Sequence, residues 1–342
     1  MHIALVSDAW FPQVNGVVRT LSTVVKELRT MGHTVTTITP DLFRTIPCPG
    51  YKEIRLSLNA DVSRRLDALK PDAIHIAVEG PLGLLARRYC IKRGLPFTTA
   101  YHTKFPEYLQ EQYGIPAGWT YPLVRRFHNT ACSVMVATPS MEAYLTSRGF
   151  KNIVRWSRGV DTDLFAPGDK SFLQLPRPIF LNVGRVSAEK NIGAFLELDL
   201  PGSKVVVGDG PQLASLKKQY PSVHFAGMKS GNELARYYAA SDVFVFPSKT
   251  DTFGLVLLEA LASGLPVAAY PVTGPIDVIT SDEVGCLKED LQEAALSALA
   301  LSPDRCREYA LQYSWRASAQ QFLNNLHQCW VGGGGVRCEK AA

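Results

Sequence analysis

Short apolar runs alternate with amphipathic stretches along most of the chain. The first set of strand-like runs comprises Ile3–Ser7, Thr34–Thr39, Ala73–Ala77, Phe97–Tyr101 and Val134–Ala137. Between them lie stretches with helical spacing, such as Thr20–Met31 before Gly32 and Leu82–Lys92 before Gly94. This alternation predicts a parallel sheet that is covered by helices on both faces.

A second set of strand-like runs follows in the other half of the chain. Its members are Ile179–Val183, Lys204–Val207, Val223–Phe225, Val243–Phe246 and Val267–Ala269. A chain of 342 residues usually divides into two domains. We therefore predict two doubly wound α/β domains, residues 1–160 and 161–312, with the link around Gly159–Pro167. The segment from Pro303 to about Trp330 has a helical pattern, and residues 331–342 are predicted to be a flexible tail.

The composition is that of a globular protein, with 46% hydrophobic and 20% charged residues. The sequence contains no apolar stretch long enough to span a membrane, and its start is typical of a buried strand rather than a signal peptide. The seven cysteines are scattered without a C-x-x-C pair. This pattern favours a reducing cytoplasm and argues against a disulfide framework or a zinc site.

Positive charge is concentrated in the first half of the chain. Residues 1–165 carry a balance of +7 and the remainder −2, which together give the net charge of +5. Basic pairs recur there, at Arg64-Arg65, Arg87-Arg88, Lys92-Arg93 and Arg125-Arg126. They indicate either a solvated surface or attraction to an anionic membrane, which would place the protein peripherally on the inner face of the cell membrane. Nucleic acid is a weaker alternative, because no stacking aromatic residues interleave with these pairs.

The segment Lys249–Ala268 carries the most chemical information. Seven residues separate Asp251 from Glu259, across a loop that leads into an apolar helix. Phe253-Gly254 marks the turn before that helix, and Gly264-Leu-Pro266 ends it. A helix N-terminus suits a phosphate, and carboxylates accept hydrogen bonds from sugar hydroxyls. The combination predicts a sugar-nucleotide site.

This spacing resembles the E-x7-E motif of retaining glycosyltransferases of family 4, although Asp251 stands where that family usually has Glu. The resemblance implies the GT-B fold, an α/β architecture of two doubly wound Rossmann-like domains that face a cleft. It also implies that a C-terminal helix, residues 313–330, crosses back to the first domain. Glu259 would contact the ribose, Asp251 the transferred sugar, and the backbone of Phe253, Gly254 and Leu255 the departing diphosphate.

The opening motif, Ser7–Thr20, reads as a strand, a turn-rich loop and a helix that starts near Gly16. Glycine lets backbone approach a ligand closely, and a helix start adds N–H donors. The motif resembles the opening of family 4 enzymes with lipid or polyol acceptors. That resemblance implies that Asn15 and Gly16 approach the donor phosphate and that Asp8 lies on the acceptor side.

A second motif, Ala100–Tyr108, is predicted to be a loop at the end of a strand. An isolated histidine is more often structural, but at a strand's carboxyl end His102 becomes a candidate for holding the sugar near the reacting carbon. Relatives often have His-Thr-Asp here. In this chain Lys104 replaces the acid, which suggests an anionic partner on the acceptor side.

Three further loops resemble donor-binding loops of the family. In Asn182–Asn191, the resemblance implies that Gly184, Arg185 and Lys190 stabilise the leaving nucleoside diphosphate, a task that suits cationic side chains. It places Gly208, Asp209 and Gly210 against the nucleotide and the backbone near Met228 and Lys229 at the base. Arg185, Lys190, Asp251 and His102 are the predicted catalytic residues.

The pair Asp161-Thr-Asp163 matches the D-x-D metal site of another glycosyltransferase class, the GT-A enzymes. Here it lies in the predicted link, where an Asp more often accepts hydrogen bonds from backbone N–H groups. We therefore expect no metal ligand there and no cofactor beyond the nucleotide-sugar substrate.

Together these motifs predict a metal-independent, retaining glycosyltransferase. Its expected donor is a nucleotide-diphosphate sugar, with UDP favoured, and its expected acceptor is a lipid such as diacylglycerol at the cytoplasmic membrane face. A GDP-mannose or UDP-sugar transferase acting on a soluble polyol or polysaccharide remains open. A sugar-nucleotide epimerase and a non-catalytic sugar-nucleotide binding protein are further alternatives of different classes.

Overall fold

A computed structural model describes residues 1–13, 15–48, 51–58 and 60–331. The chain forms two compact units. Unit 1 comprises residues 1–157 together with the helix that begins at Trp315, and unit 2 comprises Arg158–Ser314. The predicted residues 332–342 of the tail lie outside the described residues.

Unit 1 is built on a six-stranded parallel sheet with the order β2-β1-β5-β6-β7-β8. A separate antiparallel hairpin, β3–β4, stands apart from it. The strands are β1 (His2–Val6), β2 (Thr34–Ile38), β3 (Arg44–Cys48), β4 (Tyr51–Leu58), β5 (Ala73–Ile76), β6 (Thr98–Ala100), β7 (Ser133–Val136) and β8 (Ile153–Arg155).

Helices cover both faces of this sheet. One apolar cluster packs residues of α1 against β1, and another packs α2, α3, α5 and α6 against the opposite face. The helices are α1 (Gly16–Thr30), α2 (Val62–Leu69), α3 (Pro81–Arg93), α4 (Phe105–Tyr113), α5 (Ala117–His128) and α6 (Pro139–Ser147).

Unit 2 contains a second six-stranded parallel sheet, with the order β11-β10-β9-β12-β13-β14. Its strands are β9 (Ile179–Val183), β10 (Ser203–Val207), β11 (His224–Gly227), β12 (Val243–Phe246), β13 (Val267–Ala269) and β14 (Gly285–Leu287). Its helices are α7 (Ile192–Leu196), α8 (Leu213–Gln219), α9 (Gly231–Ala240), α10 (Leu255–Ala262), α11 (Pro275–Val278), α12 (Leu291–Ala298) and α13 (Pro303–Ala310).

The last helix, α14 (Trp315–Val331), belongs to unit 1. Its Phe322 is fully buried, with its ring centroid 4.8 Å from those of both His75 and Trp156. The segment with the helical pattern from Pro303 to about Trp330 forms two helices, and the second begins two residues after the start at residue 313 that the resemblance implies. The chain breaks between α13 and α14, because the Tyr313 carbonyl accepts a hydrogen bond from the Val160 N–H instead of continuing a helix.

The alternation of strands and helices is confirmed, and three strands of unit 2 have the predicted bounds. The hairpin β3–β4 and the short edge strands β8 and β14 were not predicted. One expectation is wrong, because the predicted loop Ala100–Tyr108 becomes helix α4 from Phe105 onward. The predicted link Gly159–Pro167 directly follows the boundary between the units, at Ser157 and Arg158, and its residues belong to unit 2.

Each sheet has one point at which the strand order reverses, and crevices for ligands form at the carboxyl ends of the strands there. In unit 1 this point lies between β1 and β5, and in unit 2 between β9 and β12. The residues that follow these four strands are therefore the first place to look for a site. Of the helices described, none has the length and apolar character that a bilayer crossing requires.

Candidate active site

In unit 2 the loops after β9 and β12 are tied together. The Lys190 ammonium lies 2.6 Å from Oδ1 of Asp251, two residues that were both predicted to be catalytic. The Asn191 side chain donates to the Pro247 carbonyl at 3.1 Å, and the Thr250 hydroxyl donates to the Glu189 carbonyl at 3.2 Å. A predicted cation and a predicted acid are thus held in contact at the carboxyl edge of the sheet.

The two oxygens of Asp251 have different surroundings. Oδ1 accepts from Lys190, whereas Oδ2 is buried and has no hydrogen-bond partner among the described residues. Burial by itself raises the pKa of this carboxyl group, but the Lys190 charge and hydrogen bond, together with the Ser248 hydroxyl, outweigh burial and hold the pKa below its ordinary value. Asp251 is therefore an ionised acceptor whose Oδ2 has unused acceptor capacity.

Helix α10 begins directly after this loop. Its N-cap residue, Gly254, has a left-handed conformation with φ 81° and supplies no side-chain cap. The first N–H groups of a helix have no intrahelical acceptor and lie at the positive end of its dipole. The beginning of α10, four residues after the Asp251 that pairs with Lys190, therefore suits an anionic ligand.

Glu259 lies one turn further along α10 and is only 3% exposed. The Tyr238 hydroxyl on α9 donates to its Oε2 at 3.0 Å. The Tyr238 ring is fully buried, with centroids 5.5 Å from Phe165 and 5.7 Å from Phe244. Sequence reasoning missed Tyr238, because nothing in the linear pattern connects a helical tyrosine with an acid 21 residues later.

The glycines after β10 are required by the packing of two loops. A Cβ at Gly208, where φ is +147°, would lie 1.8 Å from the Gly184 carbonyl oxygen, and one at Gly210 would lie 2.3 Å from that of Val186. The Asp209 carbonyl accepts from the Val186 N–H at 2.9 Å. These contacts give Gly208 and Gly210 a role in the fold, while their predicted contact with the nucleotide stays a prediction.

The remaining predicted donor residues occupy the same edge. Arg185 directly follows Gly184 at the end of β9 and is half-buried. Met228, after β11, is 57% exposed, and the adjacent Lys229 pairs with Glu233 at 2.6 Å. The structure thus brings Lys190 and Asp251 into contact and places the other loops at the same edge of the sheet.

In unit 1, Asp8 follows β1 and is buried. Its two carboxylate oxygens accept from the N–H groups of Leu82 at 3.0 Å and Gly83 at 3.2 Å, at the start of α3. Burial raises the pKa of Asp8 to about 6, the two N–H groups oppose this shift, and the Glu79 charge adds to it. Both oxygens are used within unit 1, so the structure gives Asp8 a role in holding α3.

Asn15 and Gly16 lie at the start of α1, as the sequence predicts. Oδ1 of Asn15 accepts from the Val18 N–H at 3.0 Å and caps the helix, and its amide donates to Gln13 at 3.2 Å. Both Asn15 and Gly16 are exposed. The helix start is thus accessible, and its contact with a donor phosphate stays a prediction.

His102 and Lys104 follow β6 in unit 1. The half-buried His102 ring packs edge-on against the buried Trp156, with centroids 5.7 Å apart. The Lys104 ammonium lies 4.9 Å from the centre of the Tyr144 ring. These contacts fix both side chains beside the first turn of α4.

A hydrogen-bonded cluster next to Lys104 was not predicted. Oε1 of Glu107 accepts from the hydroxyl groups of Tyr121, at 2.6 Å, and Tyr144. The Arg148 guanidinium lies over the Tyr144 ring, 3.6 Å from its centroid. Burial, followed by the hydrogen bond to Glu107, raises the pKa of the Tyr144 hydroxyl. The cluster ties α4, α5 and α6 together.

The D-x-D pair behaves as a turn. Oδ1 of Asp161 accepts from the Leu164 N–H at 3.0 Å, as expected for an acid in that position.

The sequence matches family models and curated proteins that show which family the chain belongs to. Residues 14–164 match the sequence model described as "Glycosyltransferase Family 4", and residues 177–302 match "Glycosyl transferases group 1". The chain is also 33% identical to a GDP-mannose-dependent alpha-mannosyltransferase of Mycobacterium tuberculosis, over 84% of this chain and 83% of that protein. The chain belongs to glycosyltransferase family 4.

Two further relatives extend the comparison of this glycosyltransferase. The sulfoquinovosyl transferase SQD2 of Arabidopsis thaliana is 30% identical, over 96% of this chain and 74% of that protein. The alpha-monoglucosyldiacylglycerol synthase of Streptococcus pneumoniae is 30% identical, over 97% of this chain and 86% of that protein.

Solved structures identify the fold of this glycosyltransferase. Sucrose-phosphate synthase from Thermosynechococcus elongatus has a TM-score of 0.76 at 23% identity, covering 97% of this chain and 99% of that chain. Anabaena HepE in complex with UDP-glucose has a TM-score of 0.71 at 16% identity, covering 96% and 100%. The GT-B fold and the family resemblance are thus confirmed.

Proposed function

We propose that this family 4 glycosyltransferase transfers a sugar, with retention of anomeric configuration and without a metal, from a nucleotide-diphosphate sugar to a lipid acceptor such as diacylglycerol. The observation that carries the proposal is the arrangement of Lys190, Asp251 and α10. A cation, an ionised acid with unused acceptor capacity and an uncapped helix start lie together in unit 2. A sugar diphosphate needs these three kinds of partner.

In this proposal the helix start, Lys190 and Arg185 stabilise the diphosphate as the bond between it and the anomeric carbon breaks. Oδ2 of Asp251 accepts a hydroxyl of the transferred sugar. The acceptor oxygen attacks from the face that the diphosphate leaves, and its proton passes to the departing phosphate oxygen. Glu259, held by Tyr238, receives the ribose hydroxyls.

The acceptor is argued from the relatives. The name of the Streptococcus pneumoniae relative contains diacylglycerol, so we favour a lipid acceptor and a peripheral position at the membrane. Of the two nucleotides we favour UDP. A second candidate is transfer of mannose from GDP-mannose, and the 33% identity with a GDP-mannose-dependent alpha-mannosyltransferase favours it.

A donor panel tests the proposal. Nucleoside-diphosphate release is measured from UDP- and GDP-sugars, with and without diacylglycerol vesicles, in the presence of EDTA. We expect release from one donor only when vesicles are present, and an α-linked product by NMR from an α-linked donor. Release that depends on a soluble polyol instead would contradict the lipid acceptor, and EDTA inhibition that added Mg²⁺ reverses would contradict metal independence.

The leaving-group assignment has its own test. Arg185→Ala should lower turnover by about 100-fold or more, because a charge that stabilises the departing diphosphate is lost. Arg305→Ala is the matched control, since Arg305 is an exposed arginine of unit 2 whose ion pair with Glu308 contributes little. Near-normal turnover of the Arg185 variant would remove this residue from the mechanism.

A further inference from the structure

Helix α5 has an apolar face that is open to solvent. Trp119 is 74% exposed and Leu123, one turn later, is 70% exposed. Residues four apart lie on the same side of a helix, and Pro122 and Arg126, which are also exposed, continue this side. The opposite side of α5 packs into unit 1 through the buried Val124 and Phe127.

Helix α3 carries a similar face beside it. Leu84 is 53% exposed, and Arg88 and Lys92 follow it at intervals of four residues, both exposed. The two helices are neighbours, because they cover the same face of the sheet and the Arg87 guanidinium of α3 donates to the Phe127 carbonyl at the end of α5 at 3.1 Å. We call Leu84, Arg88, Lys92, Trp119, Leu123 and Arg126 the outer face.

Along the outer face, apolar side chains come first on each helix and basic side chains follow. α3 runs from the carboxyl end of β5 toward the amino end of β6. α5 ends beside the middle of α3, where Arg87 donates to the Phe127 carbonyl, and its Tyr121 donates to Glu107 in the first turn of α4, which follows β6. The apolar Leu84, Trp119 and Leu123 precede the basic residues on their helices. The apolar part therefore lies toward the edge at which His102 and Lys104 follow β6.

Charge on the two helices has one sign. α3 and α5 contain Arg87, Arg88, Lys92, Arg93, Arg125 and Arg126 and no Asp or Glu. Tryptophan and leucine with adjacent arginine and lysine are the combination that binds the boundary between lipid headgroups and acyl chains. An anionic bilayer complements both parts of the outer face, because acyl chains accept the apolar side chains and headgroups accept the cations.

We propose that the outer face of α3 and α5 binds the surface of an anionic lipid bilayer. Trp119, Leu123 and Leu84 enter the boundary region, and Arg88, Lys92 and Arg126 contact the headgroups. This inference rests on the lipid acceptor proposed above and adds the surface by which unit 1 holds that bilayer near its strand ends.

The test is sedimentation of the purified full chain with vesicles of phosphatidylcholine and phosphatidylglycerol, without any donor. Trp119→Ser with Leu123→Ser should lower the partition coefficient by about tenfold or more. Arg88→Gln with Arg126→Gln should lower it by about 30-fold at low salt and have little effect on pure phosphatidylcholine. Leu311→Ser, which changes a leucine of unit 2 that is 53% exposed, is the control and should bind like the wild type.

Measurements on micelles and on vesicles distinguish membrane binding by the outer face from sugar transfer to the lipid. The Trp119/Leu123 double variant should retain wild-type turnover on diacylglycerol in detergent micelles while losing turnover on vesicles. Vesicle binding that the double variant leaves unchanged, or a wild type that does not bind vesicles, overturns the inference even if micellar turnover is found. If the wild type is a dimer and the double variant is a monomer, the outer face binds a second copy of the chain, and the inference is overturned.

If the double variant loses vesicle binding but neither protein turns over diacylglycerol in micelles or vesicles, the membrane surface stands and the lipid acceptor is rejected.

Discussion

The two units use the same feature of the doubly wound sheet in different ways. At the reversal point of unit 1, the start of α3 is met by the protein's own anion, the Asp8 carboxylate. At the reversal point of unit 2, the start of α10 follows Gly254 and has no side-chain cap. A helix start attracts negative charge in both places. In unit 1 a carboxylate of the protein supplies that charge, whereas in unit 2 no side chain does.

The pairing of Asp251 explains why no carboxylate caps the start of α10. Asp251 lies in the loop before this helix, but its Oδ1 contacts the Lys190 ammonium at 2.6 Å. Because the half-buried Asp251 pairs with Lys190, it leaves the helix start available, and the pair itself can rearrange when a more highly charged anion arrives. The start of α3 is thus bonded to a carboxylate of unit 1, whereas no side chain caps the start of α10 in unit 2.

The largest expected effect concerns the pair in unit 2. Lys190→Met should reduce kcat by about 100- to 1,000-fold, because the departing diphosphate loses a cation. Asp251→Asn should lower turnover as well, yet tighten binding of the free nucleoside diphosphate severalfold, because Lys190 is released from its partner. Steady-state kinetics and calorimetric titration of both variants measure these changes.

The free energy of unfolding of the Lys190→Met and Asp251→Asn variants is the control for this prediction, because a destabilised protein would also lose turnover. Urea unfolding should show that both variants keep the wild-type free energy of unfolding to within about 1 kcal/mol, as expected for a partly exposed ion pair. A loss of several kcal/mol would show that the Lys190–Asp251 pair, like Asp8, serves the fold.

The next effect is the pH dependence of unit 1. The folded-state pKa of Asp8, about 6, exceeds the ordinary value of 3.8, so the folded protein holds the proton more tightly. The stability that this proton contributes is fully present below about pH 4 and is lost as the pH rises to about 6, a change of up to about 3 kcal/mol. Denaturant unfolding of wild type and Asp8→Asn over this range isolates it.

The difference between the two unfolding curves is the quantity to follow. The wild type should lose stability relative to Asp8→Asn as the pH rises through this window, and the difference should be constant above it. A relative gain of stability with rising pH would contradict the assignment. A selective rise in the Michaelis constant for the acceptor, with equal stability, would instead favour the acceptor-side role that the sequence predicts for Asp8.

The smallest effect concerns Glu259. Tyr238→Phe keeps the buried ring and removes the hydroxyl that donates to Glu259, so the Michaelis constant for the donor should rise about tenfold while kcat changes less. Tyr237→Phe, at the neighbouring position of α9, is the control. Equal effects of the two variants on donor binding would mean that the Tyr238 hydroxyl does not position Glu259.

Much of the fold could be predicted because periodicity is local. Runs such as Val243–Phe246 are buried on both faces and appear in the sequence as unbroken apolar segments. The hairpin β3–β4 could not be found this way, since it joins neither sheet and does not follow the strand–helix alternation. The break before α14 depends on Val160, which is distant in the sequence from Tyr313.

The candidate site also has a part that the sequence predicts and a part that it does not. Lys190 and Asp251 could both be singled out from the sequence, because their loops resemble loops of one family, and the structure adds their contact at the reversal point. The partners of buried polar groups were not foreseeable. Neither the bond from Tyr238 to Glu259 nor the two N–H groups on Asp8 has a signal in the spacing of residues, because each depends on how separate elements pack.

The decisive experiment is a crystal structure of the full chain with a bound nucleoside diphosphate. We expect the diphosphate at the first N–H groups of α10, with Lys190 in contact with it and no longer with Asp251. A diphosphate bound elsewhere, with the Lys190–Asp251 pair intact, would mean that this helix start does not bind the donor.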